Sequence, residues 1–354
     1  MKDLLENKMF KVFIGAIILV ILIIIIIAVL VSGKGGSVNA ENLSYAGKMY
    51  YEKNPALLPQ KNYDSATVSL STLVSGGYIS KDLNGIDCPS YVMVTNMNGK
   101  YDYTPFIRCN TNATTTLMSK LTAGITTTGS GLYNDNGKYI FKGENPNNYV
   151  KFGELLWRII GLDENNNIKM IYSDVYVDYS EWDDRYNKDV DEDKGINEYI
   201  GNEKSRIKEY LDSFFSNEMN VENFTAARIA RTTKFNTCIG KVDIESGNVN
   251  VCSETINERI STLTVEDYMK ASLDKSCSFE NNINCRNYNF LNLDGWTVNA
   301  SSNNTHQVYF IDKDEGLKAV DAYYRAAVRP VIAIKNDISY VSGTGTMLDP
   351  YIIG

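Results

Sequence analysis

Three sets of residues in this 354-residue chain could do chemistry: six cysteines, a run of alternating aspartates, and two tryptophans in polar surroundings. Cys88, Cys109, Cys238, Cys252, Cys277 and Cys285 fall into three pairs of near neighbours, the usage an oxidising environment gives. No pair has the C-x-x-C spacing, and a chain with 1 histidine has few ligands for structural zinc, so the pairs read as disulfides. Asp189, Asp191 and Asp193 put carboxylates at alternate positions, the oxygen-rich spacing of a calcium loop. Lys194 stands where that template needs Gly and Ile200 where it needs a bidentate Glu, so a solvated acidic loop competes with it. Calcium is the one cofactor the sequence brings forward. Trp182 and Trp296 have the ring area to stack on a sugar, and a capped core position is the competing reading. His306 would have to serve any Ser–His or Cys–His site, but no nucleophile signature accompanies it. No residue is assigned as catalytic, and the balance lies against an enzyme.

Local elements must position these residues. Asn98-Gly99 between two alternating runs is a hairpin signal. A two-residue loop there pairs Met97 with Lys100 and, carried outward, sets Cys88 opposite Cys109 at a non-hydrogen-bonded site. Pro105 falls on another such site, where its missing N–H removes no ladder bond. Cys238 and Cys252 bracket a hairpin-like stretch with Ser246-Gly247 in its turn. Cys277 and Cys285 enclose a polar loop. Near-neighbour bridging of both is the expectation among the fifteen pairings that six cysteines permit.

The organisation of the chain follows from composition shifts. A formal net charge of -8 without a basic patch leaves nucleic acid out as a partner. Residues 12–31 carry no charge, and at about 1.5 Å per residue they span about 30 Å, the thickness of a hydrocarbon core. This predicts a lipid bilayer as partner through 12–31, a cytoplasmic tail 1–11, and a single-pass cell-membrane protein with its N-terminus inside and its C-terminal ectodomain outside. A linker at 32–43 would lead to a small module at 44–109, with helices near 42–52 and 67–74 before the hairpin. Residues 110–132, rich in Thr, Ser and Gly, read as a second linker. The remainder, 133–354, shows strands at 138–142, 149–152, 155–160, 168–172, 327–334 and 351–353. Helices are expected at 203–215 and from Thr264. Few helices among many short strands predict an α+β class. The abundant Asn and Tyr are read as a polar surface.

Two stretches carry family resemblances. TVSLSTLVSGGYI and SYVMVTNMNGKYDYTPFIRC, within 60–109, resemble the small head module that follows the membrane helix of pseudopilin-like surface proteins of Gram-positive-type bacteria. YIFKGENPNNYVKFGELLWRIIGLDENNNIKMIYSD at 139–174 and AAVRPVIAIKNDISYVSGTGTMLDPYIIG at 326–354 resemble an uncharacterised bacterial extracellular family. That domain is similar to the C-type-lectin-like fold and its sulfatase-modifying-factor branch. The resemblances imply a pseudopilin-like module carrying a lectin-like α+β domain with variable loops, a scaffold used for binding and for catalysis alike. The expected function is a membrane-anchored extracellular binding or adhesion protein for a surface polysaccharide or a protein ligand. A structural subunit of a pilus-like or secretion-type envelope assembly comes second, and an oxidase-like enzyme third.

Overall fold

The computed structural model describes residues 36–61, 64–88, 90–97, 99–107, 115–153, 155–218, 231–244 and 250–353. The chain divides into two compact units, Met1–Ala113 and Thr114–Gly354. In the first, Asn39 caps helix α1 (Ala40–Lys53). Its Oδ1 accepts from the Asn42 N–H and the Asn42 side chain accepts from the Asn39 N–H, both at 2.9 Å. This satisfies amides that a first helical turn leaves without partners. α1 buries Leu43, Ala46, Gly47 and Tyr51, a stripe at helical spacing. It lies on a three-stranded antiparallel sheet, β1 (Ser65–Ser69), β2 (Tyr91–Met97) and β3 (Lys100–Phe106), in that order. Helix α2 (Leu70–Ser75) adds Leu70 and Leu73 to the same core, with Val68, Val92 and Val94 from the strands.

The hairpin register runs from Met97↔Lys100 out to Tyr91↔Phe106, with Val92 opposite Pro105. Gly99 sits at φ 85, where a side chain would be strained, and its N–H donates to Asn96 Oδ1 at 2.8 Å. Cys109 lies outside the described residues, and the expected Cys88–Cys109 bridge with it. The helix expected at 67–74 is half strand: residues 67–69 pair with β2. Ser69 is the N-cap of α2, its hydroxyl accepting from Thr72 N at 3.1 Å.

The second unit opens with α3 (Leu117–Thr122), then β4 (Gly131–Asp135), β5 (Lys138–Lys142), β6 (Tyr149–Phe152), β7 (Leu155–Leu162), β8 (Ile168–Tyr172) and β9 (Val177–Glu181). After α4 (Arg206–Ser213) come β10 (Thr232–Thr233), β11 (Phe235–Cys238), β12 (Thr255–Glu258), β13 (Ile260–Ser261) and α5 (Val265–Lys270). Strands β14 (Gly295–Ala300), β15 (Gln307–Asp312), β16 (Gly316–Asp321), β17 (Arg325–Val328), β18 (Val331–Ile334), β19 (Tyr340–Ser342) and β20 (Tyr351–Ile353) follow. The main sheet is ordered β10-β18-β8-β7-β6-β20-β19, with β13 also on β18 and the β4–β5 hairpin joined through β7. Its centre reads as continuous apolar runs: all of Val331, Ile332, Ala333 and Ile334, and Trp157, Ile159, Ile168, Met170 and Ile171, are buried. Such runs mark strands covered on both faces. β14-β15-β16 form a second antiparallel sheet, β9 pairs with β17, and β11 with β12.

Cys238 and Cys252 form one disulfide, Cα atoms 4.4 Å apart, and Cys277 and Cys285 another at 4.5 Å. The first ties the end of β11 to the stretch before β12. The segment expected as a linker at 110–132 is structured from 115 onward. Thr116 Oγ1 accepts from Ser119 N at 3.1 Å to start α3, whose Leu117 and Leu121 are buried.

Two expectations are corrected here. The α+β class, including the lectin-like α+β domain, gives way to a mostly β chain, 38% strand and 19% helix. Helices are few and short, α4 running on only as a π-helical turn Phe214–Glu218, and the polar stretch 295–321 folds into three strands. The single-pass membrane localisation is not supported either. Among the described residues no helix is long and apolar enough to cross a membrane, and the run 12–31 lies outside them.

Two predictions follow from this packing. A Cβ on Gly161 would sit 2.2 Å from the Tyr139 carbonyl oxygen, where β5 crosses β7. Gly161→Ala is expected to destabilise the second unit by about 1–3 kcal/mol in denaturant titration; an unchanged midpoint would show that the crossing is not tight. Lys169 reaches across from β8 to Asp267 in the first turn of α5, Nζ to Oδ2 2.7 Å. Burial works to raise the Asp267 pKa, but Lys169 and the Thr264 donors outweigh it and hold the carboxyl below its ordinary value. A depressed folded pKa contributes stability above the unfolded value that is lost as pH falls through the folded one. Stability should therefore fall on acidification below about pH 4, and Asp267→Asn should flatten that part of the stability–pH curve.

Candidate functional site

Two buried indoles form the base of the most elaborated surface. Trp182, one residue past β9, donates from Nε1 to the Thr297 carbonyl at 2.9 Å, and Trp296 on β14 donates from Nε1 to the Ser180 carbonyl at 2.9 Å. Each ring therefore bonds the backbone beside the other, latching β9 to β14. The rings are 0% and 1% exposed. Each bond gives a buried N–H and C=O the partners they need. Backbone N–H groups of Trp182 and Asp183 both donate to the Ala322 carbonyl, at 2.9 and 3.0 Å. This clamps the turn 322–324, between β16 and β17, against the end of β9.

The loop that follows is organised by polar side chains turned inward. The Asp183 carboxylate, fully buried, accepts from Ile196 N at 2.8 Å and from Arg185 Nε at 2.8 Å. Burial pushes its pKa up against the pull of those donors. Asn187 Nδ2 donates to the Gly195 carbonyl at 2.8 Å and the Thr305 carbonyl at 3.0 Å. Asn197 Nδ2 lies 2.8 Å from the Asn304 carbonyl, and Lys241 Nζ donates to Asn197 Oδ1 at 2.7 Å. The loop 183–197 is thus bonded to itself and to 301–307 through groups that exclude water.

On this base stand four tyrosines with open rings: Tyr179 at 66% exposure, Tyr186 at 47%, Tyr323 at 44% and Tyr324 at 48%. β9 pairs with β17 so that Arg325 faces Glu181. Arg325 Nε donates to Glu181 Oε1 at 2.6 Å, and its guanidinium carbon lies 5.9 Å from the centre of the Tyr179 ring. Tyr323 also interacts with the Arg325 charge, and its N–H donates to the Lys194 carbonyl at 3.0 Å. Lys194 pairs with Glu192 at 2.9 Å, and Glu192 bridges to Asn187, beside Tyr186. The Tyr186 hydroxyl donates to Asp191, which raises the phenol pKa. Tyr324 rests edge-on against Trp296 and beside Phe310, ring centres 6.2 and 5.6 Å away. Tyr179, Tyr323 and Tyr324 are thus grouped about the β9–β17 pair, with Tyr186 on the loop bonded to it.

The residues singled out from sequence fall differently. Trp182 and Trp296 offer no ring face to a ligand and are the foundation beneath the surface, which corrects their reading as stacking platforms. Asp189, Asp191 and Asp193 are exposed on the loop beside the tyrosines. They do not converge as ligands. Among the described residues the one group of three with ligand atoms within 4.8 Å is Cys238, Cys252 and Glu266, two of whose members are already bonded as a disulfide. His306 lies with Nε2 3.5 Å from Asp321 Oδ1. The two disulfides face a groove of about 630 Å³ with Met269, Phe279, Glu266 and Lys270 in its walls. A smaller hollow of about 410 Å³ lies among Lys120, Asn145, Asn147 and Tyr351. His306 lines neither. Sequence reasoning missed the tyrosines. The signals were there in Tyr323-Tyr324 at a turn and Tyr179 in the alternating VDYSE, but only the β9–β17 pairing brings them together.

No protein-family model, curated protein or solved structure matches this chain.

Trp182→Phe and Trp296→Phe each keep an aromatic ring but remove the indole N–H and part of the ring volume, leaving the Thr297 or Ser180 carbonyl without its donor. Each is expected to cost about 1–3 kcal/mol in denaturant unfolding, and wild-type stability in both would show that the latch carries no weight.

Proposed function

We propose that the second unit is a non-catalytic binding module for a polysaccharide, with Tyr179, Tyr186, Tyr323 and Tyr324 as its contact surface. The observation that carries this reading is the set of four rings, 44–66% exposed, on the β9–β17 pair and the loop and turn bonded to it, over a buried hydrogen-bonded base. Single exposed aromatics are ordinary, whereas four on segments bonded to one another forfeit the burial each ring would gain from the fold. Sugar rings present flat C–H faces that pack on aromatic faces, and their hydroxyls bond to planar polar groups such as the Arg325–Glu181 pair. Rings on paired strands and a bonded loop lose little freedom on binding, because folding has already fixed them.

The test is retention of the full-length chain, kept soluble in mild detergent, on a panel of insoluble polysaccharides, followed by titration with soluble fragments. Tyr179→Ala with Tyr323→Ala is expected to leave stability within about 0.5 kcal/mol, both side chains being exposed. The same double variant is expected to weaken binding about tenfold or more through lost ring contacts. Retention by no member of the panel, or a double variant that binds like the wild type, would remove the reading.

A further inference from the structure

The charge around the tyrosines names the class of polymer they would take. Between residues 178 and 194 the chain carries eight carboxylates, from Asp178 to Asp193, against three cations, Arg185, Lys188 and Lys194. Two of those cations are already committed: Arg185 to Asp183 at 2.8 Å and Lys194 to Glu192 at 2.9 Å. Arg325, the cation nearest Tyr179, is held by Glu181 at 2.6 Å. Among the described residues Asp178, Asp189 and Asp193 make no ion pair, and all three are exposed. Asp178 precedes Tyr179 on β9, and the other two lie on the loop that carries Tyr186. The segment that carries Tyr179 and Tyr186 is therefore net negative, and anionic polymers approach it against that charge.

We infer that the tyrosine surface selects an amine-bearing polysaccharide, one whose amino sugars carry free ammonium groups, over neutral or anionic polymers. The inference rests on the polysaccharide reading above and adds its chemistry. An ammonium group gains twice at such a surface. Its charge is attracted to the negative face of a tyrosine ring, and the acidic side chains around Tyr186, Asp193 among them, attract it further. A lysine-rich peptide offers the same charge. The surface favours the glycan because its rings stand 44–66% exposed and line neither of the two grooves described above, whereas a peptide is held by side-chain anchors in pockets. Open rings instead suit flat sugar faces.

The experiment compares one β-linked glucosamine oligomer in fully N-acetylated and free-amine forms, titrated into the full-length chain at low and high salt. An anionic uronate oligomer and oligolysine of equal charge serve as controls. The free-amine form is expected to bind about tenfold more tightly at low salt, and the difference should shrink as salt screens the carboxylates. Asp189→Asn with Asp193→Asn touches no ring; it should reduce that preference and leave binding of the acetylated form in place. Equal affinity for both forms, tighter binding of the uronate, or oligolysine binding as tightly as the amine oligomer would overturn the inference while the polysaccharide reading stands on the acetylated form alone. Failure of every sugar oligomer to bind would remove both.

Discussion

The second unit depends on one reciprocal contact. Trp182 and Trp296 each reach under the other's strand to bond its backbone, at 2.9 Å in both directions. β9 and β14 belong to different sheets, and no ladder bond joins them. Without the indoles, Ser180 and Thr297 would present buried carbonyls lacking these donors, a cost of about 1–3 kcal/mol for each group. The rings also fill volume that small side chains would leave as cavity. One pair of side chains thus fixes the spacing between sheets and satisfies the polar atoms that the spacing buries.

Asparagine extends the same solution. An asparagine-rich chain suggests a hydrated surface, yet Asn148, Asn187, Asn197, Asn289 and Asn299 are buried. Each has a side-chain amide able to donate and accept at once, so it can stand in for a missing strand partner. Asn299 donates to the carbonyls of Cys238 and Gly240 at 3.0 and 3.1 Å and accepts from Val265 N at 2.9 Å. It therefore joins β14 to the disulfide-closed hairpin and to the start of α5. Asn289 does the same for the other disulfide, donating to the Cys285 and Tyr268 carbonyls at 2.7 and 2.8 Å. The disulfides limit the unfolded chain, while these amides connect the crosslinked loops to the core.

This explains which parts of the fold were legible beforehand. Features decided within a few residues could be read: the β2–β3 register from Asn98-Gly99, the strands at 138–142, 149–152 and 168–172, the helix start at Thr264, and the near-neighbour pairs Cys238–Cys252 and Cys277–Cys285. Features decided at long range could not. The strand Gly-Trp-Thr-Val-Asn-Ala of β14 is buried along its whole length, yet its Thr and Asn give it the look of a loop. Those polar residues are interior because Thr297 Oγ1 donates to the Tyr309 carbonyl at 2.8 Å and Asn299 finds partners far along the chain. The short α3 hid in a Thr-rich stretch because its two buried leucines make a pattern too brief to outweigh composition. Trp182 and Trp296 were rightly singled out as unusual, but a tryptophan in polar sequence is equally the mark of an indole bonded to a buried carbonyl.

The exposed tyrosines are a consequence of that interior. A loop carrying eight carboxylates in seventeen residues repels itself and would not hold a shape unaided. Here it is shaped from beneath. Asp183 gathers the amide of Ile196 and the Arg185 guanidinium, and Asn187 and Asn197 bond its return to 301–307. The Asp183, Asn187 and Asn197 side chains are buried, so their bonds hold their geometry with less screening by salt than the surface charges suffer. The loop can therefore keep an unpaired acidic edge and open rings side by side, an arrangement that hydrophobic burial alone would not maintain.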